Sequence, residues 1–129
     1  MEYGLDIKKP KILITEDDFE NQRFLKLFLK KNFDVYMCDS DQTFYECIKD
    51  TKFDVILMDI SLRGNKNGLE LTKELKQTPG YENIPIVCLT AHVFKKDRDS
   101  ALEAGVDVFL TKPVENHILM ETLLGVVKK

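Results

Sequence analysis

Four apolar runs of this chain end on polar side chains that could work together. Glu16-Asp17-Asp18 follows Lys11–Thr15, Asp59 follows Asp54–Met58, Thr90-Ala91-His92 closes the run that begins at Ile84, and Thr111-Lys112-Pro113 follows Val106–Leu110. Carboxylates that meet at one place repel one another and raise one another's pKa. A hard divalent cation, Mg²⁺ or Mn²⁺, relieves that repulsion, and Mg²⁺ prefers a few carboxylates plus water. A lysine reaching the same place adds a second positive charge, and a hydroxyl adds a neutral donor. Such a set suits an anionic tetrahedral group. Phosphoryl transfer mainly needs positioned positive charge and donors around the equatorial oxygens. An aspartate can itself be the nucleophile and form an aspartyl phosphate. Asp59 is the candidate nucleophile because the run before it is the most apolar. Glu16 and Asp17 are candidate metal ligands, Lys112 the partner of one phosphoryl oxygen, and Thr90 the donor to another.

Each residue also has a plainer reading. Acidic residues after a strand often cap the next helix, and a lone Lys-Pro is usually a surface turn. The conjunction favours chemistry, because compatible groups end four separate runs.

The elements that must position these groups alternate regularly. Apolar runs at Lys11–Thr15, Asp34–Cys38, Asp54–Met58, within Ile84–Thr90 and at Val106–Leu110 read as strands. Between and after them lie helical stretches: Phe19–Lys31, Ser40 or Asp41 to about residue 49, about 69–76, about 95–104, and 114–127, located by apolar spacing and end signals. Phe24, Leu25, Phe28 and Leu29 read as the core face of the first helix, and Gly105 as the stop of the fourth. Strands apolar throughout indicate a parallel sheet covered on both faces. Right-handed crossovers then give a doubly wound α/β fold of (βα)5 type. Ligands of such sheets bind beyond the carboxyl ends of the strands, where the polar groups stand.

Composition narrows the partners. The chain has 129 residues, 43% hydrophobic and 32% charged, with 19 basic against 22 acidic residues and a net charge of −3. That length and balance lead us to expect one domain over residues 1–129, with a core from about 11 to 127. A pI near 5.4 argues against nucleic acid as a partner. No apolar run approaches the ~18 residues that a membrane span needs. The first ten residues lack a signal-peptide core, so the cytoplasm is the expected location. Cys38, Cys47 and Cys88 are odd in number and lack CxxC spacing, and read as small buried hydrophobes.

The runs Ile-Leu-Ile-Thr-Glu16-Asp17-Asp18, Val55-Ile56-Leu57-Met58-Asp59, Ile86-Val87-Cys88-Leu89-Thr90-Ala91 and Phe109-Leu110-Thr111-Lys112-Pro113 resemble the receiver domain of two-component response regulators. The resemblance covers about residues 11–127. It implies a five-stranded parallel sheet in the flavodoxin-like strand order 2-1-3-4-5. It implies Asp59 as phosphoacceptor, with Glu16, Asp17, Asp59 and the backbone carbonyl of Ser61 as metal ligands. Thr90 and Ala91 match the phosphoryl-binding stretch, Thr90 and Phe109 the switch pair, and Lys112 the phosphate-binding lysine, with a cis bond to Pro113. It further implies a histidine kinase or histidine phosphotransfer protein as donor, and a downstream protein docking on the helix 4–strand 5–helix 5 face. Glu16 stands where aspartate is also frequent, Arg63 near where many receivers have proline, and the Gly64–Gly68 loop is about one residue longer than usual.

Two other readings are open to a chain of this pattern. A metal-dependent phosphatase with an Asp59 nucleophile would want a second acid two residues later, where Ser61 stands. A flavin-binding module of flavodoxin type would want a hydroxyl- and glycine-rich phosphate loop where Glu16-Asp17-Asp18 stands. Ser61 and His92, each two residues beyond a site residue, are expected to flank the water that hydrolyses an acyl phosphate and so to tune dephosphorylation. His117 reads as a surface residue.

Overall fold

The computed structural model describes residues 8–60, 64–91 and 95–128. Its elements are β1 (Lys11–Thr15), α1 (Phe19–Leu29), β2 (Asp34–Cys38), α2 (Asp41–Asp50), β3 (Val55–Met58), α3 (Gly68–Lys76), β4 (Ile86–Thr90), α4 (Lys95–Ala104), β5 (Val108–Thr111) and α5 (Asn116–Val127). The strands form one sheet in the order β2-β1-β3-β4-β5, and every neighbouring pair is parallel. This is the expected flavodoxin-like order.

The alternation of strand side chains builds two cores. Leu13, Ile56, Ile86 and Cys88 face one side with Phe44 and Ile48 of α2, Leu71 and Leu75 of α3, and Ala101 of α4. Ile12, Ile14, Val55, Leu57, Val87 and Leu89 face the other with Leu25 and Leu29 of α1 and Leu119 and Leu123 of α5. The uniformly apolar reading holds for β3 and β4, which are buried throughout, and nearly for β1. It fails for β2 and β5, which are half-exposed because they are the sheet's edges.

Helix starts follow local hydrogen bonding. Asp18 caps α1 by accepting the Asn21 N–H at 2.9 Å, so one of the three acids after β1 has a capping duty. Ser40 and Thr43 form a capping box at α2, and Asn67 and Glu70 another at α3, each satisfying donors that the first helical turn leaves without partners. Gly105 ends α4 at φ +112°, as the glycine signal predicts.

Three further expectations need correction. Phe24 is 48% exposed, because the buried side of α1 runs through Leu25 and Leu29; its ring stacks instead on half-buried Phe28. Strand β5 begins at Val108 rather than at Val106. Asp107 is held outside it, its carboxylate accepting the Ile86 N–H at 2.7 Å and meeting Lys76 Nζ at 3.0 Å. Helix α5 begins at Asn116 rather than at Val114, after a cis Lys112–Pro113 bond and an extended Glu115.

Candidate functional site

Strands β1 and β3 are neighbours whose crossovers lead to opposite sides, so a crevice opens beyond their carboxyl ends. Glu16 leaves β1 and Asp59 leaves β3 at that crevice, and they are 4% and 7% exposed. Lys112, just after β5, reaches across to both. Its Nζ lies 3.3 Å from Glu16 Oε1 and 3.7 Å from Asp59 Oδ2. The Lys112 N–H donates to the Thr90 carbonyl at 2.8 Å, which ties the end of β5 to the end of β4. Thr90 is fully buried, and Phe109 is half-buried against the α2–α3–α4 core. Ala91 is exposed beside Thr90, and Asp17 is half-buried beside Glu16.

Among the described residues, the electrostatics of the site are set by burial and by the Lys112 ammonium. Burial pushes the Glu16 carboxyl above its ordinary pKa. The Asp18 N–H and the Lys112 ammonium pull it back, and Asp59 pushes it up again. Burial also pushes the Cys88 thiol up to about 12, with a smaller push from Asp59, so this cysteine is a core residue with no thiolate chemistry at neutral pH.

The structure brings Glu16, Asp59 and Lys112 together as the residues led us to expect, and joins Thr90 to Lys112 through the backbone. Ser61 and His92 lie outside the described residues. His117 is exposed on α5, as expected of a surface residue. Among the described residues, no three acidic, thiol or imidazole side chains are gathered into a group that could hold a cation as placed. The donor chemistry nevertheless fits Mg²⁺: the nearly buried carboxylates of Glu16 and Asp59 present hard oxygen ligands at one place, beside the Lys112 ammonium.

Two positioning residues escaped sequence reasoning. Thr15 reads as the last residue of an apolar strand, yet its buried hydroxyl accepts the Asp59 N–H at 3.0 Å. Gly68 opens α3, and a β-carbon there would stand 2.2 Å from the Asp59 carbonyl oxygen. A polar residue at a buried strand end, and a glycine nine residues after Asp59, were the available signals.

A cleft of about 330 Å³ adjoins the site, lined by Glu16, Asn21, Phe24, Lys112, Pro113 and Asn116 among others. A larger concavity of about 990 Å³ lies at the opposite end of the sheet, among Lys9, Lys11, Lys30, Asp34, Lys52 and Asp54. It is remote from the carboxylates that could react.

Comparison with known proteins agrees with this geometry. The family described as the response regulator receiver domain matches residues 12–124. The sequence is 34% identical over 128 residues to hybrid signal transduction histidine kinase I of Dictyostelium discoideum, a match covering 93% of this chain and 7% of that protein. A crystal structure of a putative response regulator from Chloroflexus aurantiacus superposes with a TM-score of 0.88 at 27% identity, over 95% of this chain and all of that one (100%). The receiver domain of a Pseudomonas aeruginosa sensor histidine kinase, with a magnesium ion coordinated in its active-site cleft, gives a TM-score of 0.85 at 26% identity, over 94% of this chain and 99% of that one. The chain thus spans a small part of its curated hybrid-kinase relative and nearly the whole of these receiver structures. Sequence and fold lead to one conclusion: the chain belongs to the response regulator receiver domain family, the phosphoacceptor modules of two-component signalling.

Proposed function

We propose that Asp59 is the phosphoacceptor. An Asp59 carboxylate oxygen attacks phosphorus in line with the leaving group, an O–P bond forms, and the bond from phosphorus to the donor nitrogen or oxygen breaks. The donor is a phosphohistidine on a histidine kinase or phosphotransfer protein. It reaches Asp59 through the cleft beside Glu16 and Lys112, past the exposed ring of Phe24. Lys112 holds one phosphoryl oxygen and the Thr90 hydroxyl another. Glu16, Asp17, Asp59 and the Ser61 carbonyl would hold Mg²⁺, which neutralises the charge that gathers in transfer. The chain's catalysis is confined to its own phosphorylation and dephosphorylation, its output is a protein contact on the α4–β5–α5 face, and its place is the cytoplasm, where ATP charges the donor.

The observation that carries this reading is the Lys112 ammonium, set within 4 Å of both Glu16 and Asp59 at the carboxyl ends of the strands. Incubation with acetyl phosphate and Mg²⁺ should add one phosphoryl group by intact mass. Asp59→Asn, and chelation of the metal, should each abolish the gain. Undiminished labelling of Asp59→Asn would contradict the reading.

A further inference from the structure

The described residues between Asp59 and α3 are fastened at a neck and at a tip. At the neck, the Gly68 N–H donates to the Ile60 carbonyl at 3.0 Å. Gly68 also packs so closely on the Asp59 carbonyl that no side chain fits between them. The exit of the loop is therefore seated on the backbone of the reacting residue.

At the tip, the fastening is Asp41, the first residue of α2. Its Oδ2 accepts the N–H groups of Asn65 at 3.1 Å and of Lys66 at 3.2 Å, while Oδ1 accepts the Gln42 N–H at 2.9 Å. Two successive N–H groups converging on a carboxylate form an anion-holding nest, and the N-terminal end of α2 favours the same charge. Gly64 completes the fit. It has φ +114°, and a β-carbon there would fall 2.0 Å from Asp41 Oδ1. The Lys66 side chain extends the fastening to Tyr45 of α2 and to Glu74 of α3. Helix α2 already has its cap in Ser40, so Asp41 is not needed to start it.

We propose that Asp41 is a positioning residue for phosphorylation: by holding the loop tip on α2 it keeps Gly68 seated on Asp59 and fixes the direction of the Asp59 carboxylate. This rests on Asp59 being the phosphoacceptor. Charge-assisted hydrogen bonds of this kind are roughly twice as strong as neutral ones, and small misplacements of a reacting group are costly in rate.

The test compares wild type, Asp41→Ala and Asp41→Asn at saturating acetyl phosphate and Mg²⁺, with amide hydrogen exchange measured on the metal-free proteins. Asp41→Ala should slow labelling of Asp59 by about tenfold and speed exchange at Asn65, Lys66 and Gly68. Asp41→Asn keeps an oxygen acceptor for both N–H groups and should recover most of the rate and the protection. Wild-type and Asp41→Ala rates that are equal per folded molecule, whatever the change in melting temperature, would overturn the inference and leave Asp59 as phosphoacceptor. Absence of wild-type labelling at Asp59 would overturn both.

Discussion

At the scale of single residues, the proposed chemistry rests on two nearly buried carboxylates and a lysine set beside them. Glu16 and Asp59 are nearly buried and share the Lys112 ammonium, and burial makes the ionised form of Glu16 costly. On the proposed reading, a divalent cation would relieve that cost and screen the aspartate's repulsion from an incoming phosphoryl group. The direction of that aspartate depends on two neighbours. The Thr15 hydroxyl fixes its N–H, and Gly68 leaves room for its carbonyl. Gly68→Ala would force a β-carbon to within 2.2 Å of a backbone oxygen that cannot swing aside. It should destabilise the fold by about 1–3 kcal/mol, the usual cost of overpacking, and slow Asp59 labelling as well. Urea denaturation and the labelling rate check the two effects; an unshifted midpoint with an unchanged rate would show that the backbone yields freely there. Charged groups at strand ends were legible in the sequence because few structural duties need an acid pair, an acid and a lysine at matching places. Thr15, Gly68 and Asp41 were not, because each acts through a backbone group whose position only the folded chain defines.

At the scale of elements, the five strands and five helices were legible from apolar runs and cap residues, with ends displaced by a few residues at most. Displacements occur where a tertiary bond competes with the local pattern, as Asp107 does when it binds the start of β4 instead of extending β5. Burial was less legible than element type. In α1 the four apolar residues 24, 25, 28 and 29 look equivalent, yet Leu29 is fully buried and Phe24 is largely open to solvent. The sequence period defines a stripe; the packing of the sheet decides which edge of the stripe is covered. Leu29→Ala should therefore cost about 2–5 kcal/mol, and Phe24→Ala less than about 1 kcal/mol, since changes at exposed sites are usually small. Equal losses in chemical denaturation would place Phe24 in the core after all. The exposed ring lines the cleft beside Lys112.

At the scale of the whole molecule, the proposed phosphorylation of Asp59 has to reach the α4–β5–α5 face to give the proposed output. Thr90 and Phe109 lie on adjacent strands, with Cys88 opposite Phe109 and Thr90 opposite Thr111 in the register of β4 and β5. We propose that a Thr90 hydroxyl drawn toward the phosphoryl leaves space for the half-buried Phe109 ring, and so changes the surface made by α4, β5 and α5. New charge-assisted hydrogen bonds would drive that shift. Thr90→Ala should still accept phosphoryl while losing most of the phosphorylation-dependent amide shifts around Phe109; shifts equal to those of wild type would contradict this coupling. The central claim concerns which atom carries the phosphoryl group, and borohydride trapping tests it most directly. Reduction of the phosphorylated protein converts an acyl phosphate to an alcohol, so peptide mapping should find homoserine in place of Asp59 and at no other acid. Homoserine at Glu16, Asp17 or elsewhere with Asp59 intact, or no conversion in protein that has gained phosphoryl mass, would contradict the account.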